Sequence, residues 1–189
     1  MSWLVIYLMD TITSDTLKVN LIAVGAVFIV LLLTIKSLSL PIILVFAIEA
    51  AIWINMGIPY FSGTTVQYIA YLIISSIQLG ATVDYAILFT DRYLDNRRRL
   101  NKRDAVIETV SAVTTSVLTS GSALSLVGFL LHFISTHGIL SQLGLFLGRG
   151  TLLSMTSVFL VLPGLLWMFD GLIQKTSLNL RLNAPGKES

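Results

Sequence analysis

The sequence predicts an all-α membrane protein, a polytopic bundle of about five transmembrane helices with its N-terminus outside and its C-terminus inside. Three observations predict it. First, only 12% of the 189 residues are charged, 55% are hydrophobic, and mean hydropathy is +0.86. Soluble domains carry about 25% charged residues, so a water-soluble globule does not fit. Second, the charges are segregated. Ten lie between Asp91 and Glu108, and uncharged runs cover 19–35, 50–83, 109–148 and 150–169. A bilayer crossing needs about 20 mostly apolar residues. Third, the basic residues fall almost entirely on one side once the spans are counted.

Residues 1–18 read as a short extracytoplasmic lead-in. The stretch before Asp10 has no basic residue, so it is not a signal peptide. Residues 19–170 form the transmembrane domain. Its first span is about Val19–Ile35, bracketed by Lys18 and Lys36. The second is about Leu38–Ile54, with Pro41 in the first turn, where a missing N–H costs little. The turn between them is short, so the two form an antiparallel hairpin. Asn55–Thr65, with Gly57, Pro59 and Gly63, reads as a loop. The third span is about Val66–Leu88, followed by a basic loop over 91–105. The fourth is about Val106–Leu131, and His132–Gly138 reads as a loop. The 31 residues Ile139–Phe169 are too long for one straight span. They divide into an interfacial helix, about Leu140–Leu147, and a fifth span, about Gly148–Phe169, kinked by Pro163 near its end. Residues 171–189 form a polar, mostly disordered cytoplasmic tail.

Lys and Arg orient the bundle. With the N-terminus outside, Lys36, Arg92, Arg97, Arg98, Arg99, Lys102, Arg103, Lys175, Arg181 and Lys187 lie inside, and only Lys18 and Arg149 lie outside. The run Arg97–Arg99 is then a cytoplasmic anchor. No aromatic interleaving accompanies it, so no nucleic-acid partner is expected.

Ionisable residues inside a span are costly, by about 2.5–3.5 kcal/mol, and mark function by default. Glu49 and Asp84 qualify. Asp84 lies about one turn inside the third span's inner boundary. Ile77, Gly80, Asp84, Leu88 and Asp91 share a helix face, and Gly80 lacks bulk there, so another helix can approach. In that setting a carboxylate can take up and release protons, as relay carboxylates in pumps do. The alternative is an interfacial residue that sets the span's end. Glu49 reads as a structural hydrogen-bonding residue between helices. Arg149 sits at the outer end of the fifth span and can snorkel. In the fourth span, Glu108, Ser111, Thr115, Thr119 and Ser122 form a stripe at helical spacing. It serves as helix–helix glue, as a hydrated lining facing Asp84, or as both. Gly144, Gly148 and Gly150 form a small-residue packing seam with Ser154 and Ser157.

No enzyme activity is expected. Ser120 and Ser122 have no general base nearby in sequence, and Asp84 has no second intramembrane Asp to form a carboxylate dyad. With no cysteine and two isolated histidines, His132 and His137, neither a metal site nor a cofactor is expected.

The runs LGATVDYAILFTDRY, SAVTTSVLTSGSALSLVGF and LGLFLGRGTLLSMTSVFLVLPGLLWMFD resemble the resistance-nodulation-division (RND) superfamily, and its MMPL-type transporters in particular. Gly80, Asp84-Tyr85, Arg92-Tyr93, Gly148-Arg149-Gly150 and Leu162-Pro163 fall in the family's order, and the likeness covers most of residues 5–170. The resemblance implies a twelve-span exporter of lipids, hydrophobic compounds or drugs, driven by protons. It implies that Asp84 carries protons and that Tyr85 is its hydrogen-bonding neighbour. Ser111, Thr115, Thr119 and Ser122 would line the path. The chain matches only the last five spans. The expectation is therefore an incomplete unit in the cell membrane, whose partners are the bilayer and the missing transporter portion or another copy. The alternative is a non-transporting membrane module, sensor-like as sterol-sensing domains are, regulatory or vestigial.

Overall fold

The computed structural model describes residues 3–35, 37–63, 66 and 68–176, and among these the architecture is all-α. Helix α1 runs Trp3–Ile35, α2 Ser39–Ser62, α3 Tyr68–Arg97, α4 Lys102–Ile134 and α5 Gly138–Thr156; a π-helical turn, Ser157–Val161, leads into α6, Leu162–Thr176. Among the described residues, five helical stretches are long and apolar enough to cross a membrane: Lys18–Ile35, Ser39–Ser62, Ala70–Arg97, Lys102–Ile134 and Gly138–Gln174.

Several boundaries differ from the sequence expectation, each for a local reason. The lead-in is helical from Trp3 and continuous with the first span. The stretch read as a loop from Asn55 continues α2 to Ser62, with Pro59 inside the helix. Proline deprives the carbonyl four residues earlier of its donor, here the oxygen of Asn55. That oxygen accepts instead from Arg149 Nη2 at 3.1 Å. The helix ends at Gly63, whose φ of 65° needs the left-handed region and whose N–H returns to the Pro59 oxygen. The 91–105 segment is mostly helix. Only residues 98–101 turn, closed by Leu100 N–H donating to Asn96 O at 2.8 Å and by the Asn101 N-cap accepting from Asp104 N–H at 3.0 Å. Helix α4 likewise extends to Ile134, leaving a short connection to α5.

The largest correction concerns the last span. No break separates an interfacial helix at 140–147 from a span at 148–169, since α5 starts at Gly138 and runs unbroken into the π turn. Pro163 explains the turn. Its missing N–H frees the Phe159 carbonyl, and the helix accommodates this by widening, with Leu162 N–H donating to Ser157 O. Asp170 lies within α6, which continues to Thr176. The tail beyond residue 176 lies outside the described residues, as do Lys36 and Gln67.

Burial fixes how the helices pack. Leu31, Leu40, Leu44, Phe89, Tyr93, Val113, Leu162 and Leu166 are fully enclosed in one core. Ala70, Ile74 and Phe146 form a smaller cluster. Helices α4 and α5 share the most extensive contact. A Cβ at Gly144 would lie 2.5 Å from both Gly128 O and His132 N, so only glycine permits this approach. Ser125 Oγ donates to Gly148 O across it at 3.0 Å. Leu21, Leu33, Phe46, Phe133 and Met168 face outward, as lipid-facing residues must.

Candidate functional site

Helical geometry places the polar residues on three distinct structures. The first is a set of exposed residues on α3 and α4 that includes Asp84 and the α4 hydroxyls. On α3, Ile77, Gly80, Asp84 and Asp91 are exposed, the face that 100° spacing predicts. Asp84 makes no hydrogen bond or ion pair to any described residue, and no described atom outside its own helix turn lies within 4 Å of a Cβ placed at Gly80. Gly80 is therefore not a packing contact among the described residues. Tyr85 is buried in the core, so it is not bonded to Asp84. Adjacent helical residues point about 100° apart and cannot share a face. On the neighbouring α4, Glu108, Ser111, Thr115, Thr119 and Ser122 are all exposed. Thr119 donates to Thr115 O at 2.7 Å, which satisfies its hydroxyl within the helix.

The second structure joins α2, α3 and α5. Asn55, Gln78 and Arg149 meet in the interior. Arg149 Nε donates to Asn55 Oδ1 at 2.8 Å and Asn55 Nδ2 donates to Gln78 Oε1 at 2.7 Å and to Phe146 O at 3.2 Å. Gln78 Nε2 reaches the Ala51 and Gly150 carbonyls. The Arg149 guanidinium also lies 4.8 Å from the Phe146 ring centre. Arg149 does not snorkel outward. It is eleven residues into α5, about 17 Å along the axis from Gly138, and it turns to amide partners instead. Gly150 lines the same space, where a Cβ would stand 2.6 Å from Asn55 Nδ2.

The third structure is a clamp at the basic end. Asp170 Oδ1 accepts from Tyr93 Oη at 2.7 Å and from Arg97 Nε at 3.0 Å, while Oδ2 accepts from Arg97 Nη2 at 3.1 Å and Gln174 Nε2 at 2.9 Å. This two-pronged pair ties α3 to α6. Arg97 is therefore an internal brace, while Arg98 and Arg99 remain at the surface. Glu49, expected to bridge helices, accepts from Trp53 Nε1 at 3.0 Å one turn along its own helix.

Neither the amide network nor the clamp was evident from the sequence, because their partners lie 23 to 94 residues apart. The available signal was Asn55 and Gln78, two uncharged amides within apolar runs.

Comparison with known proteins agrees with this architecture. The model of the MMPL family matches residues 3–173. Two Streptomyces coelicolor proteins, each named only as a membrane protein, are similar to the chain. SCO6666 is 32% identical over 166 residues, covering 84% of this chain and 23% of that protein. ActII-3 is 24% identical over 164 residues, covering 85% of this chain and 23% of that protein. The chain thus spans about a quarter of the length of the curated relatives it matches, 23% in both cases.

Proposed function

The chain belongs to the MMPL family, and we propose that it is the membrane-spanning part of a proton-driven exporter of lipids, other hydrophobic compounds or drugs in the cell membrane. In this reading Asp84 takes up and releases the proton. The hydroxyls of Ser111, Thr115, Thr119 and Ser122 line its route, and the chain moves cargo without catalysing a reaction. The basic end faces the cytoplasm, as the excess of Lys and Arg there favours.

One observation carries the proposal. Asp84 is exposed and without a partner in the described residues, on a helix packed against one that carries an exposed stripe of hydroxyls. Lipid cannot solvate such a carboxylate. Water or a further polar helix must meet it, and a second bundle with its own polar face supplies both. Other spans, in another polypeptide or another copy of this chain, are the partners this face calls for.

The test is proton-linked export by the assembled protein. Replacing Asp84 with Asn keeps size and polarity but removes the titrating group, so export is expected to fall to background. Asp84→Glu should retain part of it. Undiminished export by Asp84→Asn would sink the relay assignment. A parent protein that moves nothing in response to a proton gradient would favour a sensor-like, non-transporting module.

A further inference from the structure

The turn joining α3 to α4 frames an open cleft of about 250 Å³ lined by Arg92, Asp95, Asn96, Arg98 and Arg99. Three guanidinium groups meet a single carboxylate there. That carboxylate, Asp95, lies 3.6 Å from Arg98 Nη1, a surface pair one turn apart. Asn96 is engaged elsewhere, donating to Thr109 Oγ1 at 2.9 Å. Arg97, although between them in sequence, is turned away to Asp170. Among the described residues no carboxylate pairs with Arg92 or Arg99. Arg98 is partly exposed as a side chain, although its Nε is enclosed by the chain and bonds to no described residue. The guanidinium groups of Arg92 and Arg99, paired with no described carboxylate, leave charged donors that an oxyanion from outside the chain can satisfy.

The height of the cleft in the bundle identifies that acceptor. Trp167 is 54% exposed on α6, with Lys102 Nζ stacked 4.4 Å above its ring. Exposed tryptophan and lysine together mark the membrane–water boundary. Leu100, in the same turn as Arg98 and Arg99, is also exposed and apolar. An oxyanion of fixed height beside an apolar chain therefore meets both halves of this surface.

We infer that this cleft binds the phosphate of an anionic phospholipid headgroup. Arginine forks match phosphate oxygens in pairs, and basic pockets at the ends of membrane helices hold such headgroups. Free inorganic phosphate shares the chemistry but lacks the acyl chains that would lie along Leu100 and Trp167. The inference rests on the bundle's lying in a membrane and is independent of export.

The experiment uses the full chain in nanodiscs of phosphatidylcholine with a minor fraction of phosphatidylglycerol. Lipids retained by the protein are counted by native mass spectrometry after release. The parent should retain phosphatidylglycerol in preference to phosphatidylcholine. Arg98→Gln and Arg99→Gln should each weaken that preference about fivefold, at an unchanged melting temperature. Asp95→Asn, which removes the competing carboxylate, should strengthen it. Equal retention of both lipids by the parent, or an unaltered preference in the glutamine variants, would overturn the inference. Loss of the preference in millimolar inorganic phosphate at constant ionic strength would show that the site takes soluble phosphate instead.

Discussion

Gly150 packs against two buried amide side chains. A Cβ there would stand 2.6 Å from Asn55 Nδ2 and 2.7 Å from Gln78 Oε1, and those atoms are bonded to each other at 2.7 Å. Gly150→Ala must therefore separate them, leaving a buried donor or acceptor unpaired at about 1–3 kcal/mol for each. The expected outcome is a lower melting temperature in detergent, followed by tryptophan fluorescence. Gly164→Ala, where nothing lies within 4 Å, should leave it unchanged or slightly raised. Equal effects at the two positions would show that the amide network yields without cost. At this scale the sequence was readable where a residue is conspicuous alone. Asp84 stands out as a charge in an apolar run, and helical spacing identified its exposed face. It was unreadable where meaning comes from a distant partner. Arg149 looked like an interfacial residue because nothing nearby in the chain reveals that Asn55, 94 residues away, accepts from it.

At the level of the helix, two prolines decide what the sequence left ambiguous. Pro41 sits in the first turn of α2, where it is harmless, but Pro59 and Pro163 lie inside helices that continue past them. Local punctuation read as a loop at Asn55–Thr65 was overridden because tertiary contacts satisfy the groups that proline frees. Arg149 takes the Asn55 carbonyl, and the π turn absorbs the gap before Pro163. A π turn holds one residue more than an α turn, which rotates α6 by about 100° relative to a regular continuation of α5. That rotation sets the face on which Asp170 meets Tyr93 and Arg97. Pro163→Ala restores the missing donor and should let the α register resume, turning Asp170 off its partners. A double-mutant cycle checks this. Asp170→Asn alone should cost about 3 kcal/mol of stability, because it strands a paired guanidinium. On the Pro163→Ala background the same change should cost little. Additive losses would mean that the clamp's register does not depend on the proline.

Across the whole molecule, the exposed faces differ in polarity, and that difference bears on the proposed proton route. The number of apolar spans was legible from charge-free runs alone, because the bilayer demands about 20 apolar residues whatever the partners. Which exposed faces meet lipid was not legible, since that depends on how helices rotate against one another. The structure leaves two kinds of outward face. Phe46 on α2 is apolar and 69% exposed, whereas Thr115 on α4 is exposed amid hydroxyls. The chain contains no cysteine, so a single introduced thiol is the only one it contributes, and labelling is read on this chain's own band. A water-soluble maleimide reacts with the thiolate, which forms in water and is suppressed in an apolar setting. In the assembled protein in native membranes, Thr115→Cys should label and Phe46→Cys should not. Replacing Asp84 with Asn on the Thr115→Cys background should leave labelling intact, because the proposed route is lined by hydroxyls and does not need the charge to stay wet. Labelling at Phe46 equal to that at Thr115 would mean that the α4 hydroxyls do not define a separate aqueous face, and the proposed proton route would lose its lining.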